Sequence, residues 1–151
     1  MVILRAGEED LPDILELQYL AYQSEARLLE DPQIPPLTQT LKDVRAEFVK
    51  GVFLKAVDDA GVIIGSVRAW AQAGTAFIGK LIVQPDRQGR GIGTALLCEI
   101  EKAFPGHRYE LFTSSRSVRN LELYERLGYT RFREREIKPG LTMVFLEKAP
   151  E

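Results

Sequence analysis

The sequence predicts a mixed α/β fold of about seven strands and about four helices, in the order β-α-α-β-β-β-α-β-α-β-β. Short apolar runs rich in β-branched residues alternate with segments whose apolar residues recur at helical spacing. Turns that contain glycine or proline separate these segments. The stretches at 76–83, 91–104 and 109–113 read as strand, helix and strand. We expect their two strands to be parallel neighbours with a right-handed crossover.

The N-terminal region predicts one strand and one long helix. Residues 2–5 form a short apolar run. Asp10 is a suitable N-cap, and Pro12 suits the first turn of a helix, where its missing N–H costs nothing. The apolar residues that follow recur at helical spacing. We therefore expect a continuous first helix that ends near residues 29–30.

A proline-rich connector at 31–36 separates this helix from the next one. It cannot be the interior of a helix, because proline lacks a backbone N–H and restricts the residue before it. Thr38 or Thr40 can cap a second helix of roughly residues 41–49, and Gly51 ends that helix.

Three consecutive strands follow, at 52–57, 62–71 and 76–83. An Asp- and Gly-containing turn at 58–61 joins the first two, and a turn at 72–75 joins the last two. Gly79 lies inside the third strand, where a glycine often marks a bulge.

The last part of the chain predicts a helix and a closing hairpin. Ser117 caps the helix, and Gly128 ends it in the C′ position. Residues 129–137 and 141–146 form the hairpin around a Pro-Gly turn. An uncovered edge of this hairpin can pair with a second chain, so a monomer and a homodimer both remain open.

The composition predicts one globular domain, 1–151, in the cytoplasm. The chain has 151 residues, of which 45% are hydrophobic and 28% charged, and its net charge of −2 favours neither nucleic acid nor a membrane as partner. No apolar run approaches the ~20 residues of a membrane span, and residues 1–10 do not resemble a signal peptide. The single cysteine, Cys98, fits a reducing compartment. No ligand cluster has metal-site spacing, so we expect no metal.

A glycine-rich turn is the most informative part of the sequence. An apolar run, 81–83, leads through Pro85 into a segment in which Gly89, Gly91 and Gly93 alternate with other residues. An amphipathic helix begins there. Such a turn presents free backbone N–H groups and the positive end of the helix dipole to an anion. We therefore expect a phosphate or pyrophosphate site at this turn.

Two common phosphate motifs do not fit the turn. A P-loop needs Lys and then Ser or Thr after its last glycine, whereas Gly93 is followed by Thr94 and Ala95. The dinucleotide fingerprint needs a third small residue, but the required positions hold Thr94 or Leu96.

Two segments resemble the signatures of the GNAT superfamily of N-acetyltransferases. One is Gln88-x-x-Gly91-x-Gly93, preceded by Leu-x-Val-x-Pro, and the other is the segment 120–129, Asn-Leu-Glu-Leu-Tyr-Glu-Arg-Leu-Gly-Tyr. The resemblance implies the fold given above and acetyl-CoA as cosubstrate. The cofactor-binding residues that it implies are Leu81, Ile82, Val83, Arg87, Gln88, Gly89, Arg90, Gly91, Ile92, Gly93, Thr94, Ser117 and Asn120.

The resemblance also implies direct transfer of the acetyl group to an amine. Tyr124 would be the general acid that protonates the departing thiolate, and backbone N–H groups near Ile82 and Val83 would stabilise the developing oxyanion. His107, the only histidine, is a poor base because the preceding helix places it ~20 Å from the turn.

The general base and the acceptor stay open at this point. Tyr22, Glu25 and Glu110 could take the proton, and Arg68 could orient an acidic acceptor or form an internal salt bridge. Relatives often carry a carboxylate where this chain has Lys80, and often asparagine where it has Ser117. The segment 34–37 and the first two helices would line the acceptor cleft. A small amine, an amino acid, a peptide N-terminus and a protein lysine are all possible acceptors.

Two alternative functions keep the same site. One is a sensor that binds acyl-CoA without transferring the acyl group, although such a module needs no acid such as Tyr124. The other is an acyltransferase that uses propionyl- or succinyl-CoA in a wider pocket.

Overall fold

Seven strands form a single sheet in the computed structural model, which describes residues 1–150. The strands are β1 Val2–Arg5, β2 Val52–Val57, β3 Ile63–Gln72, β4 Thr75–Val83, β5 Arg108–Ser114, β6 Thr130–Lys138 and β7 Leu141–Lys148. Their order across the sheet is β1-β2-β3-β4-β5-β7-β6. All neighbours are antiparallel except β4 and β5, which are parallel as expected.

Six helices connect the strands within the described residues. They are α1 Leu11–Ala21, α2 Gln23–Leu29, α3 Pro35–Thr38, α4 Leu41–Phe48, α5 Ile92–Lys102 and α6 Val118–Arg126. The predicted fold class and the order of the strands and main helices are confirmed. In residues 1–150, no helix is long and apolar enough to cross a membrane.

The prediction of one long first helix is wrong at a single residue. Tyr22, with φ −83° and ψ 0°, separates α1 from α2. The backbone hydrogen bonds nevertheless continue across the break, from Tyr22 N–H to the Gln18 carbonyl and from Ala26 N–H to the Tyr22 carbonyl. Helical periodicity persists through such a local change, so the apolar pattern does not reveal it.

The connector after α2 contains a helical turn that the sequence did not predict. Pro35 and Pro36 occupy the first two positions of α3, where helical N–H groups need no partner. At the next helix, the Thr40 alternative for the cap is confirmed. Asp43 N–H donates to Thr40 Oγ1 at 3.2 Å, and Thr40 N–H donates to Asp43 Oδ2 at 2.9 Å.

The sheet is covered on both faces. On one face, α5 and α6 contribute Leu96, Ile100 and Leu121 to a core that includes Val67 of β3. On the other face, α1 and α4 enclose a smaller core, whose members include Leu11, Ile14, Val44 and Phe53. Because side chains alternate along a strand, Arg68 points to the second face, and its guanidinium lies 4.5 Å from the centre of the Phe53 ring.

The β4 strand diverges from β5 after a short contact. The two strands pair only at Thr75–Phe77 and 108–110. On its other side, β4 carries the bulge expected near Gly79: Gly79 pairs with Arg68, but Ile82 pairs with Ser66. Two residues of β4, Lys80 and Leu81, therefore face the single residue Val67 of β3, and Lys80 has a φ of +49°. Beyond Phe77, β4 and β5 are therefore no longer paired, and the gap between them lies on the side of the sheet where β4 leads into the glycine-rich turn.

Candidate active site

The glycine-rich turn joins β4 to α5. Gly89 and Gly91 have φ angles of +77° and +81°, which residues with a Cβ rarely adopt. The first α5 hydrogen bond runs from Ala95 N–H to the Gly91 carbonyl at 3.0 Å. The N–H groups at 92–94 therefore have no partner from a preceding helical turn. A Cβ at Gly89 or Gly91 would have no protein atom within 4 Å, so the space above both glycines is open.

Three arginines surround this turn, and two of them have partners. Arg87 donates to Asp58 Oδ2 at 3.3 Å, which neutralises part of its charge. Arg119, on the first turn of α6, donates to Gln88 Oε1 at 3.0 Å. Arg90 is exposed. No sequence motif pointed to Arg119, although α6, like α5, follows a strand at this end of the sheet.

The last residues of β4 lie between the turn and the bulge. Ile82 is buried and faces Ser66 of β3, while Leu81 and Val83 are half-buried against the larger core. Since β5 has diverged here, the β4 backbone groups on that side are not paired with β5. An extended chain that contains amide groups can pair with such an open strand edge.

Tyr124 lies on the inner face of α6. It is buried, and its ring centroid is 6.2 Å from that of Tyr129. Burial raises the pKa of the Tyr124 hydroxyl well above its ordinary range, and the charges of Tyr22 and Glu25 act in the same direction. The hydroxyl is therefore protonated at neutral pH and can serve as a proton donor.

Two of the candidate bases lie near Tyr124. Ser117 Oγ donates to Glu25 Oε1 at 2.7 Å, which connects the start of α6 to α2. Tyr22 lies at the junction of α1 and α2, and burial raises the pKa of its hydroxyl too. The structure thus brings together Tyr22, Glu25, Ser117 and Tyr124, which are distant in sequence.

Glu110, the third candidate base, is held in an ion pair. Arg108 donates to Glu110 Oε1 at 2.8 Å and to Glu147 Oε1 at 2.9 Å.

Asn120, one of the predicted cofactor-binding residues, also has a protein partner, because its side-chain amide donates to Thr113 Oγ1 at 3.3 Å.

Arg68 is the centre of a polar network on the opposite face of the sheet. Its side chain is buried, and it donates to Gln18 Oε1 at 2.7 Å and to Glu47 Oε2 at 3.2 Å. Its Nε has no hydrogen-bond partner among the described residues. Gln39 bonds both Gln18 and Glu47, so the network joins α1 and α4 to the sheet. The internal salt bridge that the sequence left open for Arg68 is present, and Glu47 is the partner that the sequence did not identify.

A cavity of about 340 Å³ lies where β4 and β5 diverge, on the Arg68 face. Its charged lining residues are Glu47, Arg68, Lys80 and Glu110. A larger cavity of about 820 Å³ lies beside α1 and β2, but no predicted site residue lines it. In residues 1–150, no group of three or more His, Cys, Asp and Glu side chains could hold a metal ion.

A family model described as an acetyltransferase (GNAT) domain matches residues 50–131, which are more than half of the chain. The chain belongs to the GNAT acetyltransferase family. The matched region contains the β4 bulge, the glycine-rich turn, α5 and α6.

Individual relatives are distant. The UPF0157 protein YqkA of Bacillus subtilis (strain 168) is 25% identical over 140 residues, and the match covers 92% of this chain. This chain spans only 40% of the length of that curated relative.

Solved structures show the same fold. The PaiA N-acetyltransferase from Thermoplasma acidophilum, in complex with coenzyme A, has a TM-score of 0.78 at 19% identity, with 99% of each chain covered. A GNAT phosphinothricin acetyltransferase from Sinorhizobium meliloti, in complex with acetyl-CoA, has a TM-score of 0.76 at 18% identity. That match covers 97% of this chain and 86% of the other.

Proposed function

We propose that this protein is an N-acetyltransferase that transfers the acetyl group of acetyl-CoA directly to a primary amine. The observation that carries the proposal is that three features lie next to one another at the same end of the sheet. A glycine-rich turn at the start of α5 follows a strand whose free edge faces away from β3, and a buried tyrosine lies on the neighbouring helix α6. The coenzyme A and acetyl-CoA complexes of the two solved relatives support this choice of donor.

The turn would bind the diphosphate of the donor. The free N–H groups at 92–94 and the helix dipole favour an anion there, and Gly89 and Gly91 leave room for it. Arg90 and Arg119 add positive charge at the rim. The free edge of β4 at 81–83 can then pair with the amides of the pantetheine arm. These residues fit a long, extended ligand that has a charged end.

The residues around Tyr124 would carry out the proton transfers. The amine nitrogen attacks the thioester carbonyl carbon, the C–N bond forms and the C–S bond breaks. Tyr124 donates its proton to the departing sulfur, and a β4 N–H near Ile82 or Val83 stabilises the negative oxygen. The amine nitrogen loses a proton as the C–N bond forms, and we assign the base that accepts it to Glu25, which lies close to Tyr22 and Tyr124. Glu110 is instead neutralised by Arg108.

A thiol assay with a panel of amines tests this function. The wild-type protein should release coenzyme A from acetyl-CoA when a suitable amine is present, and Tyr124→Phe should lower this rate at least about tenfold without weakening donor binding. Tyr109→Phe is the matched control, since its buried hydroxyl bonds the Glu101 and Phe104 carbonyls at the far end of α5. Donor binding without thiol release across the panel would favour a sensor, and faster release from propionyl- or succinyl-CoA would favour another donor.

A further inference from the structure

The cavity at the divergence of β4 and β5 is lined by a lysine, Lys80, that is not part of an ion pair among the described residues. Glu47 is paired with Arg68, and Glu110 is paired with Arg108. Among the described residues, Lys80 forms no ion pair. It lines the cavity together with Glu47 and Arg68.

The backbone at Lys80 is held in an unusual conformation. Its φ of +49° is rare for a residue with a long side chain and occurs within the β4 bulge. Burial lowers the pKa of the Lys80 ammonium, the charge of Glu47 opposes this shift, and the charge of Arg68 adds to it. An anion from outside the protein would relieve this unfavourable burial of positive charge.

Four of the seven uncharged residues that line the cavity are aromatic. Trp70 stacks on Phe77 with ring centroids 4.9 Å apart, and the centroids of Phe112 and Phe145 are 5.5 Å apart. Trp70 and Phe112 are exposed although they are large and apolar. Planar or bulky apolar groups bind such walls well. A volume of about 340 Å³ suits a molecule of the size of an amino acid rather than a folded protein surface.

We infer that the acceptor is a small amine that also carries a carboxylate and an aromatic or bulky apolar group, and that Lys80 binds the carboxylate. This inference rests on the proposed function, because the cavity lies beside the segment of β4 that would bind the acetyl donor. The two terminal nitrogens of Arg68 donate to Glu47 and Gln18, whereas its buried Nε has no hydrogen-bond partner among the described residues. The aromatic walls bind the apolar part of the acceptor.

Binding of two probes that cannot be acetylated tests the inference without turnover. NMR titration should show that 3-phenylpropionate binds the wild-type protein about tenfold more tightly than 3-phenylpropanamide, since only the acid can pair with an ammonium. Lys80→Asn should abolish this difference, and asparagine tolerates positive φ, so the bulge should persist. Lys80→Arg should retain the preference, as should Lys102→Gln, which removes an exposed lysine of α5.

The two probes also separate this inference from the proposed function. Equal binding of acid and amide to the wild-type protein, or an acid preference that survives in Lys80→Asn, would overturn the inference even if acetyl transfer occurs. Conversely, a Lys80-dependent acid preference supports the carboxylate site. Thiol release across the panel of amines then decides whether the protein is a transferase.

Discussion

Ser117 Oγ donates a hydrogen bond of 2.7 Å to Glu25 Oε1, which connects residues 92 positions apart in the sequence. The bond places a carboxylate of α2 beside the start of α6, the helix that carries Tyr124. The resemblance to the family implied that Ser117 contacts the cofactor, and in the structure its hydroxyl donates to Glu25.

Ser117→Ala should lower kcat about three- to tenfold and leave the KM for acetyl-CoA nearly unchanged. The substitution removes the donor that holds Glu25, while the backbone of the turn is untouched. Steady-state kinetics with a fixed amine measure both constants, and Ser24→Ala, an exposed hydroxyl of α2 that bonds the Ala21 carbonyl, is the control. A raised KM for acetyl-CoA with unchanged kcat would instead place Ser117 in the cofactor site.

Gly91→Ala should weaken the binding of coenzyme A at least about tenfold. The added methyl group occupies the open space over the turn, and alanine resists the φ of +81°. Gly74→Ala is a matched control, because Gly74 has a φ of +83° and equally open surroundings in the turn between β3 and β4. Calorimetric titration should show the loss only for Gly91→Ala. Equal affinities in the two variants would remove the turn from the binding site.

Arg119→Gln should weaken acetyl-CoA binding about three- to tenfold and reduce the salt dependence of the affinity. Arg119 is held beside the turn by Gln88, and its charge is not paired with a carboxylate in the described residues. Arg87→Gln should have a smaller effect, since Asp58 already neutralises Arg87. Titrations at two salt concentrations measure both variants. A larger loss of acetyl-CoA affinity in Arg87→Gln than in Arg119→Gln would mean that Arg87, and not Arg119, binds the diphosphate.

The rate of transfer should not fall between neutral pH and about pH 10 through ionisation of Tyr124. Its pKa is raised above the ordinary value of 10.0 by burial, so the hydroxyl keeps its proton throughout this range. The pH profile of kcat with a saturating amine checks this. A fall with an apparent pKa below 10 that disappears in Tyr124→Phe would show that the hydroxyl ionises earlier than its burial implies.

Glu47→Gln should lower the free energy of unfolding by about 1–2 kcal/mol. The change leaves the buried guanidinium of Arg68 without its carboxylate, and the partial exposure of Glu47 keeps the loss below that of a fully buried pair. Urea unfolding measures the difference, with Glu99→Gln, which removes an exposed pair with Lys102, as the control. Equal free energies of unfolding for the two variants would mean that the hydrogen bond to Gln18 is enough to stabilise the buried guanidinium of Arg68.

The parts of the fold that depend on local signals could be predicted. The turn at 89–93 and the β-α-β unit around it follow from glycine spacing and periodicity, and β4 and β5 are parallel neighbours as expected. The break between α1 and α2 at Tyr22 and the helical turn that begins at Pro35 were not predicted. The backbone conformation of a few residues determines each of them, and the spacing of apolar residues does not report it.

The parts of the candidate site that depend on distant contacts could not be predicted. Arg68 bonds Gln18 across 50 positions and Glu47 across 21, and neither pairing has a local pattern. The bulge was expected near Gly79, but the positive φ lies at Lys80, because the register with β3 determines which residue is extra. Lys80 and Glu47 were therefore not recognised as lining a common cavity.

The central claim is that the turn after β4 binds the diphosphate of acetyl-CoA and that the free edge of β4 binds its pantetheine arm. An NMR titration of the labelled protein with coenzyme A tests it residue by residue. The largest shifts should be those of the backbone amides at 89–94 and 81–83, and they should saturate together. The account would be contradicted if these amides did not move, or if the shifts clustered around the larger cavity beside α1.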